Sequence, residues 1–165
     1  MLKGKDAMAA ATTLADLHRS PLFKKLGAEQ LKTLGTLFKQ KTVPEGATIF
    51  IENMQGESLY LIVRGTIKIS KMLAEGDEQV MAILGPDDVF GEMAVFTGGS
   101  RSATARVAEE ASLFSLSRAD YDKLANMDPR LCLQLTQNII SIFSERLRTS
   151  QTDYRDMLLA AIGRK

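Results

Sequence analysis

Between about Lys41 and Ser117 the chain is a succession of short apolar runs: TIFIEN, SLYLIVRG, TIKISKML, EQVMAILG, SATARV and ASLFSLS. The runs are cut by the turn-forming clusters PEG, QGE, RGT, EGDE, LGPDD and TGGS. They are rich in Ile, Val, Leu, Thr and Ser, and several alternate apolar with polar residues, the period of a strand with one buried face. The runs recur at regular spacing without long helices between them. The zone therefore predicts an antiparallel roll or barrel rather than an alternating α/β sheet.

Helical signals lie on either side. Residues 1–40 read as helical, with Ser20-Pro21 as an N-cap followed by proline at the first helical position. Leu22, Phe23, Leu26, Leu31, Leu34, Leu37 and Phe38 then recur at three- and four-residue spacing, and Gly27 permits a break between two short helices. After the strand zone, Ser117-Arg118-Ala119-Asp120 resembles a capping box with Asp in place of the usual Glu. Asp128-Pro129 opens a further helix that runs to Ile162 without glycine or proline. Ile140, Phe143, Leu147, Ser150, Tyr154, Met157 and Ala161 fall alternately three and four residues apart, as the seam of a coiled coil does. This predicts a homodimer through the C-terminal helix; packing of the same face on the chain's own roll is the alternative.

A chain of 165 residues buries enough surface for a core without staples. With 21 basic and 20 acidic residues the net charge is +1, so the overall balance carries no strong attraction to nucleic acid or anionic membrane. Asp16 and His18 interrupt the Ala-rich N-terminal stretch, which cannot serve as a signal h-region. No apolar run approaches the roughly 18–20 residues of a membrane span. The single cysteine, Cys132, sits in an apolar helical pattern and reads as a core residue; it cannot form a disulfide within the chain. A cytoplasmic protein is the expectation.

The densest chemistry lies in FGEMAVFTGGSRSATA, Phe90 to Ala105. A strand-like DDVF leads into a glycine, a carboxylate and a short apolar turn of helix; a two-glycine loop and an arginine beside a hydroxyl follow. A helix opening at Gly91 presents free backbone N–H groups and a partial positive charge, which suit an anionic phosphate. Gly91 allows a ligand close to the backbone. Arg101 can offer two parallel donors to phosphate oxygens, and Ser102 one more. Ionised Glu92 has only acceptors and can receive a sugar hydroxyl. Taken alone, a surface salt bridge between Arg101 and Glu92 accounts for the same two residues.

The stretch resembles the phosphate-binding cassette of the cyclic-nucleotide-binding family, the family of the catabolite activator protein and the regulatory subunits of protein kinase A. The family pattern, FGE-(L/I/M)-A followed after a short loop by R-(S/T/A)-A, is matched by Phe90-Gly91-Glu92-Met93-Ala94 and Arg101-Ser102-Ala103. Pro44-Glu45-Gly46, Gly56 before Tyr60 and Ile62, and Gly65 after Arg64 resemble the glycine framework of the family's roll. The likeness covers roughly residues 20 to 150. Glu57, where the family often has Asp, and Pro86-Asp87, in place of a glycine-containing turn, depart from the pattern without touching the phosphate chemistry.

The resemblance implies an α+β, mainly β fold: an antiparallel double-stranded β-helix of jelly-roll type, flanked by N-terminal helices and a long C-terminal helix. It implies a helical extension over 1–19, a cyclic-nucleotide-binding roll over 20–128, and a lid and dimerisation helix over 129–165. By position, Glu92 would accept the ribose 2′-hydroxyl, Arg101 would neutralise the cyclic phosphate with Ser102 beside it, and Gly91, Met93, Ala94 and Ala103 would form the cradle. Arg146 and Ser150 stand where the family's long helix reaches the purine, and where an arginine meets the cassette glutamate. Thr in place of Ser102 favours cyclic GMP in parts of the family, so Ser102 tilts the expectation to cyclic AMP.

The function expected is a regulatory ligand sensor that signals by repositioning its C-terminal helix, with no cofactor beyond the ligand. A roll that has lost nucleotide and serves as a protein-interaction module is the alternative. An enzyme is not expected: a metal-dependent catalyst on a cupin-like roll needs several histidines, and the chain has only His18. No DNA binding by this chain is expected either, because a winged helix-turn-helix would need about 60 residues more than follow Ile162.

Overall fold

The computed structural model describes His18, residues 20–74 and residues 76–162, with no description of the side chains of 151–154, 156–158 and 161. The first 17 residues of the expected helical extension lie outside the described residues, as do Gly163 to Lys165. A 3-10 turn at Pro21–Phe23 precedes helix α1 (Ala28–Gly35). Strands β1 (Lys39–Val43), β2 (Thr48–Phe50), β3 (Ser58–Ala74), β4 (Asp77–Leu84) and β5 (Val89–Phe90) come next. Helix α2 (Glu92–Thr97), strand β6 (Thr104–Ser117) and helices α3 (Arg118–Met127) and α4 (Pro129–Ile162) complete the order.

Every strand pairing is antiparallel. The two long strands, β3 and β6, pair from Ser58↔Ser117 to Ser70↔Thr104 and form the spine. Each is flanked on one side by two shorter strands: β2 and β1 on β6, β5 and β4 on β3. The antiparallel roll expected from the sequence is therefore present, with helices before and after it. RGT, however, is not a turn. SLYLIVRG and TIKISKML run together through Gly65, which takes a positive φ of 89° and bends the strand without ending it. A Cβ there would lie 2.2 Å from the Glu110 carbonyl oxygen on β6, so only glycine lets the two backbones cross this closely. SATARV and ASLFSLS likewise merge into β6. Helix also stops earlier than 40, because Lys39 already belongs to β1.

Alternation on β3 sorts the core into two layers. Tyr60 and Ile62 point into the roll, beside Ile67, Leu84, Phe90, Val107 and Leu113. Leu59 and Leu61 point the other way and meet Leu22, Phe23, Leu34, Val95, Leu124, Leu131 and Leu135 of the helices. Cys132 is buried in this second layer.

Local signals place the helix starts. Ser117 Oγ accepts the Asp120 N–H and donates to the Asp120 carboxylate. Asp128 Oδ1 accepts the Leu131 N–H and so caps α4. Gln30 reaches back to the Gly27 N–H. Ser20 makes no such cap, and its buried hydroxyl has no partner. Asn138 of α4, itself buried, donates to the carbonyls of Leu22 and Lys24, tying the long helix to the 3-10 turn. No helix among the described residues is long and apolar enough to cross a membrane.

Candidate functional site

Helix α2 and the loop that returns from it to β6 form one wall of a cavity of about 190 Å³. Gly91, Glu92, Met93, Ala94, Arg101, Ser102 and Ala103 all line it, as does Arg146 from α4. Ser150 does not: it is exposed and lies on an outer groove between β4 and α4. The sequence alone missed the apolar walls, supplied by Phe50, Ile69, Ala82 and Leu84 of the strands and Phe143 of α4. Phe143 carried a signal only as a seam position, and the β4 residues were hidden by the mixed polarity of EQVMAILG.

Gly91 initiates α2 in the left-handed region, with φ 75°. A Cβ at this position would come within 2.7 Å of Arg101 Nη1, 3.1 Å of the Ser58 carbonyl and 3.3 Å of the Phe50 ring. The missing side chain is thus what lets Arg101 lie against the backbone. Backbone bonds from Arg101 N–H to Met54 O and from Asn53 N–H to Arg101 O fix the residue to the turn after β2.

The Arg101 side chain is buried and only partly satisfied by the protein. It is 5% exposed, and its Nη1 donates to the Gly91 carbonyl at 2.9 Å. The Nε–H is buried without a partner. With Nη1 occupied, Nε and Nη2 are the donors left on the other edge of the guanidinium, a fork spaced for two oxygens of one anion. The guanidinium carbon lies 4.1 Å from the Phe50 ring centroid and 5.9 Å from that of Tyr60. Burial pulls the Arg101 pKa below its ordinary value, opposed by Tyr60 and Glu92; an arginine still stays charged.

Glu92 is buried at the first turn of α2. Burial raises its pKa, outweighing the downward pull of its own backbone N–H and of the Arg146 and Arg101 charges. Glu92 and Arg101 face the same cavity, but the donors that Arg101 commits go to a backbone carbonyl. Arg146 Nη2 donates to Asp88 Oδ1 at 3.2 Å and to the Val89 carbonyl at 2.7 Å. Its ion pair is therefore with Asp88, in the turn before β5, rather than with the cassette glutamate.

The arrangement is a positive, partly desolvated fork at one end, a buried acceptor beside it and apolar walls beyond. It fits a ligand that carries a compact anion, a hydroxyl and a flat apolar body. Among the described residues there is no cluster of three or more His, Cys, Asp or Glu that could hold a metal ion.

The model of the cyclic nucleotide-binding domain family matches residues 40–128. The cyclic AMP receptor protein of Thermus thermophilus is 32% identical over 134 residues, covering 81% of this chain and 60% of that protein. The chain spans 60–63% of the length of the first curated relatives it matches and 14–30% of the length of the matching potassium channels. Among solved structures, the catabolite activator protein of Thermus thermophilus superposes with a TM-score of 0.70 at 32% identity, over 84% of this chain and 63% of that one. A cyclic nucleotide-binding domain from Methylobacillus flagellatus gives a TM-score of 0.76 over 83% of this chain and 77% of its own, at 23% identity, a likeness of fold.

Proposed function

The chain belongs to the cyclic nucleotide-binding domain family, and from that premise we propose that it is a cyclic AMP sensor whose occupancy is reported by α4. Its character as a regulatory ligand-binding domain, with no catalytic role, comes with the family. The finer reading is carried by one observation: Arg101 is a buried cation whose Nε–H lacks any protein partner and whose ring-stacked guanidinium faces the cavity. Leaving a buried donor without an acceptor is costly, and a cyclic phosphate would supply the acceptor that Nε lacks.

On this reading Arg101 takes two phosphate oxygens, Ser102 adds a hydroxyl donor, and the backbone of Gly91, Met93 and Ala94 with Ala103 surrounds the phosphate. Glu92 accepts the ribose 2′-hydroxyl. The purine lies among Ile69, Ala82, Leu84 and Phe143, with Arg146 at its border. Cyclic AMP is favoured over cyclic GMP by Ser102 in the cassette and by the name of the Thermus thermophilus relative. Residues 20–128 form the sensing roll and 129–165 the reporter; α4 also carries the proposed homodimer seam, with Ile140 and Leu147 exposed on it. Ligand that binds one position of α4 more tightly than another shifts the helix by that difference in affinity. Action in the cytoplasm is part of the same proposal.

Calorimetric titration with cyclic AMP and cyclic GMP tests it, with Arg101→Ala as control. Removing one partner of a desolvated charge pair costs about 2–5 kcal/mol, so the variant is expected to lose at least about thirtyfold in affinity. Absence of binding by the unaltered chain, or a loss below about tenfold in the variant, would overturn the assignment of the phosphate to Arg101.

A further inference from the structure

The long helix is held unevenly. Up to Ile139 it is anchored by core residues, among them Leu131, Leu135 and Ile139. Beyond that point Ile142 and Phe143 are only half-buried, and Leu147 to Ser150 are exposed. Yet it is this second stretch that supplies Phe143 and Arg146 to the cavity. Core packing there is reduced to the half-buried Ile142, so polar contacts carry more of the work of holding it.

From this geometry we infer that Asp88 is a positioning residue for the ligand site, fixing Arg146, and with it the Phe143 turn of α4, as the outer wall of the cavity. The inference rests on the cavity being the nucleotide site.

Asp88 is itself immobilised. Its Oδ2 accepts the Gly85 N–H at 3.0 Å and its N–H donates to the Gly85 carbonyl at 3.1 Å. The carbonyl of Asp88 accepts the Ile62 N–H, and the Asp87 N–H donates to the Ile62 carbonyl. Ile62 is fully buried in the roll interior, so the turn moves only if it is stripped from β3. With Oδ2 committed to the turn, Oδ1 is left for α4, and it holds Arg146 Nη2 jointly with the Val89 carbonyl. A charge-assisted bond from a rigid turn to a loosely held helix orders the helix, because one of the two partners has no freedom to give up.

Arg146 also divides space. It lines the inner cavity and, on its other side, the groove of about 700 Å³ between β4 and α4; Ala82 and Leu84 share that border. Its charge reaches Glu92 as well. Releasing Arg146 from Asp88 would therefore loosen the wall, open the cavity toward the groove and alter the field at the buried carboxylate.

The test is a mutant cycle on the full chain with Asp88→Asn, Arg146→Gln and the double variant. Asparagine retains a side-chain oxygen for the Gly85 N–H and removes the charge that holds Arg146. In the ligand-free protein, Asp88→Asn is expected to speed amide hydrogen exchange over residues 140–150 about fivefold, in the upper range for a partly exposed ion pair. Exchange over residues 58–62 should be unchanged. Cyclic AMP affinity should fall by a similar factor, and Asp88→Asn should add nothing in the Arg146→Gln background. Unchanged exchange in Asp88→Asn would overturn the inference. An effect that persists undiminished in the Arg146→Gln background would do so too, by assigning Asp88 to the turn alone. If the unaltered chain does not bind cyclic AMP, the nucleotide reading fails while the exchange cycle still decides the role of Asp88.

Discussion

The guanidinium carbon of Arg101 lies 4.1 Å from the centroid of the Phe50 ring, and Phe50 in turn stacks against Tyr60 at 6.1 Å. Tyr60 stacks on Phe90 at 5.1 Å and carries Lys41 over its ring, with Nζ 4.5 Å from the centroid. Two cations thus share one aromatic stack. The negative faces of the rings partly replace the water that Arg101 loses, and the exposed Lys41 has its pKa lowered by partial desolvation and by the Arg101 charge. A bound anion would relieve that repulsion, so the stack favours the liganded state.

Replacing Phe50 by Leu should keep the roll closed but release the plane of Arg101. A partly desolvated cation–π contact contributes about 1–2 kcal/mol, so cyclic AMP affinity is expected to fall roughly five- to thirtyfold. Phe50→Tyr should stay near the unaltered protein. Equal losses in both variants would show that the ring only fills space.

Glu92→Gln should separate stability from binding. Burial raises the Glu92 pKa in the folded chain, so its ionised form costs stability. That cost is present in full above the raised folded pKa and vanishes below the ordinary carboxylate value of about 4.3. The ligand-free Gln variant should therefore melt higher than the unaltered chain at pH 7. The gap should close as pH falls toward 4, and cyclic AMP affinity should drop in the same variant. A lower melting temperature at pH 7 would make Glu92 a structural partner instead.

Gly65→Ala should be among the most damaging single-methyl changes in the chain. It combines a left-handed backbone with a contact of 2.2 Å to the Glu110 carbonyl. A cost of roughly 3 kcal/mol is expected, seen as a lowered denaturant midpoint. A change below about 0.5 kcal/mol would mean that β3 can bend elsewhere.

The cassette was legible because its residue types are rare in combination and its chemistry is local: Gly91, Glu92, Arg101 and Ser102 all lie within twelve consecutive residues. The antiparallel roll was legible for the same kind of reason, in the two-residue period and the lack of long helices between the runs. What could not be read was set by long-range contact. RGT carries turn composition, but β6 crosses over Gly65 and continues the strand on its far side. Arg146 does lie close enough to Glu92 for its charge to act there, but Asp88, two residues after Pro86, takes its Nη2. Phe50 and Phe143 looked like ordinary strand and helix residues until the fold brought them to one cavity. Ser150 falls outside the cavity because, only four residues beyond Arg146, it projects onto the outer groove.

The pairing of β3 with β6 also has a bearing on how the chain is made. Ser58 finds its partner at Ser117, so during synthesis the long edge of β3 is not fully covered until roughly forty residues beyond Ala74 have been made. In that interval the chain carries an apolar strand with unsatisfied backbone groups, the condition in which foreign strands add on. Closure depends on distant segments meeting, which places folding in the slow regime of non-local topologies. The stage most open to unwanted strand pairing is therefore the nascent chain before β6 is complete.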